Sequence, residues 1–164
     1  MSTLLEVPLR HDQDRALTTV RRSGRFSRKI RCEWPRAGSW ISFDSMYEYN
    51  YWLYIRHLIA NNVGGVVEIV RNTTKLAFPE PVEYEANGRT YTLSAYRPDF
   101  LILKLDGGTE WVEIKGWQNG KHQATRAALA RFFPYLNVAL VTRETMLEIQ
   151  RDLGAEIDGW VKFA

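Results

Sequence analysis

Apolar and polar positions along this 164-residue chain change period several times, and each change marks an element. Over residues 42–62, Trp52, Ile55, Leu58 and Ile59 recur at helical spacing until Asn61-Asn62 and Gly64-Gly65 stop the run, which predicts a helix. Residues 66–70 form a short β-branched strand, continued by 75–78 after a turn at Asn72-Thr73 and interrupted by Pro79 and Pro81. Residues 82–86 and 90–95 then read as a hairpin across Asn87-Gly88. In 97–116, two runs rich in Leu, Ile, Val, Phe and Trp flank Asp106-Gly107-Gly108, which predicts a second hairpin. Its first arm is apolar on both faces, with Leu101, Leu103 and Leu105 set against Phe100 and Ile102, as in a strand covered on both sides. Residues 121–133 are helical, with Ala124, Ala127, Ala128 and Leu129 as the packing face and Pro134 at the end. Residues 137–142 (NVALVT) are a buried strand, parallel to one arm of the hairpin because a helix connects them. Residues 143–153 are a last helix closed by Gly154, and 157–163 form a tail.

Before residue 42 the period is lost. A short strand is expected at 4–9 and a short helix at 13–22, ended by Ser23-Gly24. The chain therefore divides into an N-terminal arm, 1–36, and one α/β domain, 37–164, with a central mixed sheet flanked by helices in the order αβββαβ. No repeat or low-complexity segment appears.

Composition narrows the class. At 45% hydrophobic and 25% charged, the sequence is that of a globular protein large enough to bury a core. Six Trp and eight Tyr are many for this length and serve the core, a contact surface, or both. A single cysteine, Cys32, rules out an internal disulfide and a cysteine-based zinc cluster, and points to a reducing cytoplasm. No signal peptide and no apolar run of membrane-spanning length is visible. The net charge of +3 fits a polyanionic partner without demanding one. Its distribution says more: Arg15, Arg21, Arg22, Arg25, Arg28, Lys29, Arg31 and Arg36 crowd the arm, with Glu33 the only acid among them.

The chemistry sits on the second hairpin. Asp99 opens its first arm, and Glu113 and Lys115 close its second, where residues two apart share a face. A three-residue loop at 106–108 pairs Leu105 with Thr109 and sets Asp99 opposite Lys115, so that the three side chains converge. A two-residue Gly-Gly turn turns Asp99 to the other face. Two carboxylates and an ammonium on otherwise apolar strands cost free energy unless something uses them. Their oxygens are hard ligands suited to Mg²⁺.

At Pro98-Asp99 and Glu113-Ile114-Lys115 the sequence resembles the PD-(D/E)xK nuclease superfamily. The resemblance covers residues 42–142. Within it, Tyr96-Arg97-Pro98-Asp99-Phe100 followed by Glu113-Ile114-Lys115-Gly116 looks like phage-type endonucleases, including phage Holliday-junction resolvases. It implies a restriction-endonuclease-like core and Mg²⁺-dependent hydrolysis of DNA phosphodiesters, with Mn²⁺ able to substitute. It also implies metal ligation by Asp99, Glu113 and the main-chain carbonyl of Ile114, with Lys115 holding the attacking water or steadying transition-state charge. The superfamily often draws a further acidic ligand from the helix before the sheet, which here is Glu48. That residue also completes a capping box, Ser45-x-x-Glu48, and the two roles are compatible.

Beside such a site, Arg21, Arg22, Arg25, Arg28, Lys29 and Arg31 are candidate phosphate contacts, as are Gln118, Lys121 and Arg126 at the start of the next helix. Each has an ordinary surface role as well. Trp117 is a packing residue or a base-stacking one. His11, His57 and His122 have no partners at zinc-site spacing, so no histidine metal site is assigned. A resolvase cuts two strands symmetrically and so requires a homodimer. The alternatives are a transposase-type endonuclease subunit, a general duplex nuclease, a nuclease acting on RNA or on ends, and a non-catalytic DNA-binding module on the same fold.

Overall fold

The computed structural model describes residues 18–20, 30–34, 39–72, 74–116 and 120–164. Among them run β1 (Thr18–Val20), β2 (Ile30–Trp34), β3 (Ser39–Phe43), α1 (Met46–Ala60), β4 (Val66–Arg71), β5 (Leu76–Ala86) and β6 (Arg89–Tyr96). There follow β7 (Phe100–Lys104), β8 (Thr109–Lys115), α2 (Gly120–Phe132), β9 (Val138–Thr142) and α3 (Arg143–Leu153). The protein is mixed α/β, with a mixed four-stranded sheet of order β4-β7-β8-β9 flanked by helices. The β8–β9 pair is parallel, as expected for strands joined through a helix, and the other pairs of that sheet are antiparallel.

Two apolar clusters hold these layers together. The larger joins α1 to one face of the sheet through Tyr49, Trp52, Ile55, Phe100, Ile102, Val112, Ile114 and Val141, and includes Met146 of α3 and Ile157 of the tail. The tail is pinned there by Asn50, whose side chain donates to the Val161 carbonyl at 2.7 Å and accepts from its N–H at 3.0 Å. The smaller cluster packs α2 against the β5–β6 ribbon through Phe78, Leu93, Tyr96, Ala128 and Leu129.

Several sequence expectations change. The run at 42–62 starts its helix at Met46, because Ser45 is the N-cap and accepts from the Glu48 N–H at 3.1 Å. Pro79 and Pro81 do not interrupt β5, which runs through both with a shift of register between Ala77 and Val82. Among the described residues β5 pairs only with β6 in a two-stranded ribbon, so a missing N–H on its open edge breaks no ladder bond there. The turn between β5 and β6 is the expected one, with Asn87 at φ 53° and Gly88 at φ 69°. On α2 the buried positions are His122, Thr125, Ala128 and Leu129, while Ala127 is exposed. Thr18–Val20, placed in the expected helix at 13–22, is a strand; the rest of that helix and the strand at 4–9 lie outside the described residues. β1, β2 and β3 form an antiparallel sheet, so strands of the N-terminal segment pair in series with the one that leads into α1.

Candidate active site

The second hairpin positions the site, in a register two residues away from the expected one. Phe100 pairs with Val112 and Leu103 with Thr109, and one further step brings Asp99 level with Glu113 rather than Lys115. The loop has three residues, as expected, but sits one position earlier, at 105–107. It is closed by Lys104 N–H to the Gly108 carbonyl at 2.9 Å and Gly107 N–H to the Lys104 carbonyl at 3.0 Å, with Gly107 at φ 81°. Leu105 therefore does not pair with Thr109; its N–H reaches the Gly65 carbonyl at 2.8 Å, and its side chain is exposed. A two-residue offset keeps every side chain on its face, so the convergence of Asp99, Glu113 and Lys115 survives it.

Each of the three is held in place. Asp99 donates its N–H to the Val112 carbonyl at 2.9 Å, and its Oδ2 accepts from the Ile114 N–H at 2.7 Å. Glu113 is buried; its Oε2 accepts from the Tyr96 hydroxyl at 2.9 Å, and its Oε1 pairs with Lys115 Nζ at 2.5 Å. The turn into Asp99 is fixed from behind by Asn72. Its side-chain amide donates to the Pro98 carbonyl at 3.0 Å, and its N–H donates to the Asp99 carbonyl at 3.0 Å.

Burial, and then the charge of Glu113, pushes the Asp99 carboxyl up to about 7, against the lowering pull of the Ile114 N–H. Burial alone lowers the pKa of Lys115, but its bond to Glu113 and the charges of Glu113, Asp99 and Glu48 outweigh that and raise it. Lys115 is therefore a firm cation. Burial first, and the Glu113 charge next, also raise Tyr96, which stays a neutral donor.

Glu48 lies close enough for Asp99 and Lys115 to feel its charge. Its carboxylate is taken by Arg71, Nη1 to Oε2 at 2.9 Å, and by the Asp44 N–H at 3.1 Å. The capping-box return bond thus goes to the amide of Asp44, one residue ahead of the cap. Arg71 also reaches Asp44 at 3.3 Å and lies over the Phe43 ring, 5.3 Å from its centroid.

The donor chemistry fits a hard divalent cation in part. Asp99, half-buried, and Glu113, buried, are a close pair of carboxyl groups, which is the arrangement a cation relieves. Among the described residues, however, no three His, Cys, Asp or Glu side chains stand ready-made around one point. Lys115 and Arg71 supply the positive charge that Glu113 and Glu48 take in this arrangement.

The other candidates divide. Lys121 and Arg126 are exposed on α2. Arg31 lies on β2, in register with Ser42 of β3. Arg21, Arg22, Arg25, Arg28, Lys29, Trp117 and Gln118 lie outside the described residues. Sequence reading passed over Tyr96, Asn72 and Arg71 as partners of the acidic residues, although Tyr96 and Pro98 stood in the quoted segment. His122, weighed from sequence only as a metal ligand, is buried beside Glu113 in a cleft between α2 and β9.

Residues 37–148 match the family described as protein of unknown function (DUF1064). The chain belongs to that family. The match contains Glu48, Asp99, Glu113 and Lys115 and begins after the basic arm. No curated protein and no solved structure matches the chain. Among the described residues no helix is long and apolar enough to cross a membrane.

Proposed function

We propose that the chain is a Mg²⁺-dependent DNA endonuclease with a restriction-endonuclease-like core of the PD-(D/E)xK type, acting as a homodimer on branched DNA such as four-way junctions. The observation that carries this reading is the meeting of Asp99, Glu113 and Lys115 at the end of one hairpin, with both carboxylates on one side of the strands. A structural ion pair needs one acid and one base. Here a second, half-buried acid stands beside the pair at an evident electrostatic cost, which is the mark of a group kept for chemistry.

In this reading Asp99, Glu113 and the Ile114 carbonyl hold the cation, with Glu48 as a further ligand once Arg71 releases it. When bound, Mg²⁺ supplies Lewis acidity and charge neutralisation at the phosphodiester. Tyr96 fixes one oxygen of Glu113 and so sets the direction of the other. Lys115, a firm cation at the same carboxylate, holds the attacking water or steadies the charge that builds on the phosphate. Lys121 and Arg126 on α2 and the basic residues of the arm contact the backbone phosphates.

The test is incubation with labelled four-way junctions and linear duplexes, in Mg²⁺ and in EDTA. Symmetric nicking of junctions only in Mg²⁺ is expected. Equal cutting of junction and duplex replaces the resolvase with a general or transposase-type nuclease. Salt-sensitive binding without cleavage in any divalent metal leaves a non-catalytic DNA-binding module.

A further inference from the structure

We propose that the cleft between α2 and β9 is a pocket for one nucleobase lifted out of the stack of the DNA strand cut at Asp99 and Glu113, an assignment that rests on the nuclease reading above. The cleft has a volume of about 370 Å³, within the range of small-molecule pockets. Its lining combines apolar side chains, Leu129, Phe133, Val138 and Leu140, with polar ones, Tyr96, Glu113, His122 and Thr125. A nucleobase has the same combination, with apolar faces and a hydrogen-bonding edge, and a base still in its stack cannot present either to such a recess.

The position of the cleft selects this occupant over an unrelated small molecule. Glu113 belongs both to the cleft and to the carboxylate pair, so whatever fills the cleft is a close neighbour of the phosphate under attack. Arg126 stands exposed at the rim, where the backbone of a strand entering the cleft passes. His122, buried beside Glu113, adds an imidazole to the polar lining of the cleft.

The experiment uses the full chain carrying Asp99→Asn, so that binding is read without cleavage. Junction strands carry 2-aminopurine, whose fluorescence rises on unstacking, at one position at a time around the cleavage point. A several-fold rise is expected at one position. Adding Ala130→Trp, which fills the mouth of the cleft from an exposed helix position, is expected to remove the rise and weaken binding about ten-fold. If the Asp99→Asn protein binds the strands by anisotropy but no position brightens, the pocket assignment is overturned while the nuclease reading stands; this readout needs no second variant to fold. A rise that persists in the folded double variant also overturns it. Wild-type protein that neither binds nor cuts DNA removes both.

Discussion

The main-chain N–H of Ile114 donates to Oδ2 of Asp99 at 2.7 Å, so the first half of the site is bonded to the residue between the two side chains of the second. An asparagine accepts the same bond through its carbonyl oxygen but carries no charge. Asp99→Asn is therefore expected to abolish Mg²⁺-dependent cleavage while leaving DNA binding intact. In EDTA it is expected to raise the melting temperature, by about 2–4 °C for each kcal/mol of repulsion relieved. Glu113→Gln likewise abolishes cleavage. Unchanged turnover in either variant removes the site assignment.

The same carboxyl gives a pH dependence of known sign. Asp99 folded holds its proton up to about 7, above the ordinary value of 3.8, because of burial and then Glu113. A raised carboxyl contributes stability that is fully present below the unfolded value and is lost as pH rises through the folded one. In EDTA, wild type and Asp99→Asn should thus differ little near pH 4 and diverge as pH approaches about 7, with the wild type falling behind. Melting curves of the two proteins across that window check this; a constant difference refutes it.

Lys115 is half-buried, and its ammonium is bonded to Glu113 at 2.5 Å. Lys115→Ala is expected to lower the cleavage rate by about 10²–10³ while Mg²⁺ affinity, read by calorimetry, changes little. An equal loss in metal affinity assigns Lys115 to placing the carboxylate and takes away its part in the chemical step.

The elements around this site were largely legible because apolar period and turn residues act locally. α1, the Asn87-Gly88 turn, β9 and α3 follow from their own residues. The face shared by Asp99 and Glu113 was legible despite the wrong loop, since a two-residue offset cannot turn a strand over. The length of the loop was legible but its place was not, because the Leu105 N–H is claimed by Gly65, which lies in another part of the chain. Tyr96, Asn72 and Arg71 were missed for a related reason: their bonds to Glu113, Pro98 and Glu48 join distant segments, and no local pattern announces them. On α2, Ala128 and Leu129 are buried as the packing face suggested, but His122 and Thr125 are buried beside them and Ala127 is not.

Glu48 holds a helix terminus and borders the site, and one substitution separates the two roles. Glu48→Gln keeps an acceptor for the Asp44 N–H but loses the charge that pairs with Arg71. Stability is expected to fall by about 1 kcal/mol, as for a weakened cap, and cleavage by at least about ten-fold. Lost stability with normal turnover confines Glu48 to capping. Urea unfolding and cleavage kinetics on the same preparation decide it.

Gly116 follows Lys115 where the backbone passes against Tyr47. A Cβ there falls 2.7 Å from one ring carbon of Tyr47 and 3.1 Å from the next. On the tail side that half-exposed ring packs against Phe163, with centroids 4.8 Å apart, and the tail carrying Phe163 is bonded to Gln150. Gly116→Ala must therefore displace either the tail or the end of β8, at a cost of about 1–3 kcal/mol. If β8 yields, Lys115 moves with it, and cleavage falls further than the loss of folded protein explains. If the tail yields, stability drops but the rate per folded molecule holds. Cleavage kinetics scaled to the folded fraction distinguish the two, and the first is expected, since one peptide bond joins Gly116 to Lys115 whereas the tail is held by several contacts.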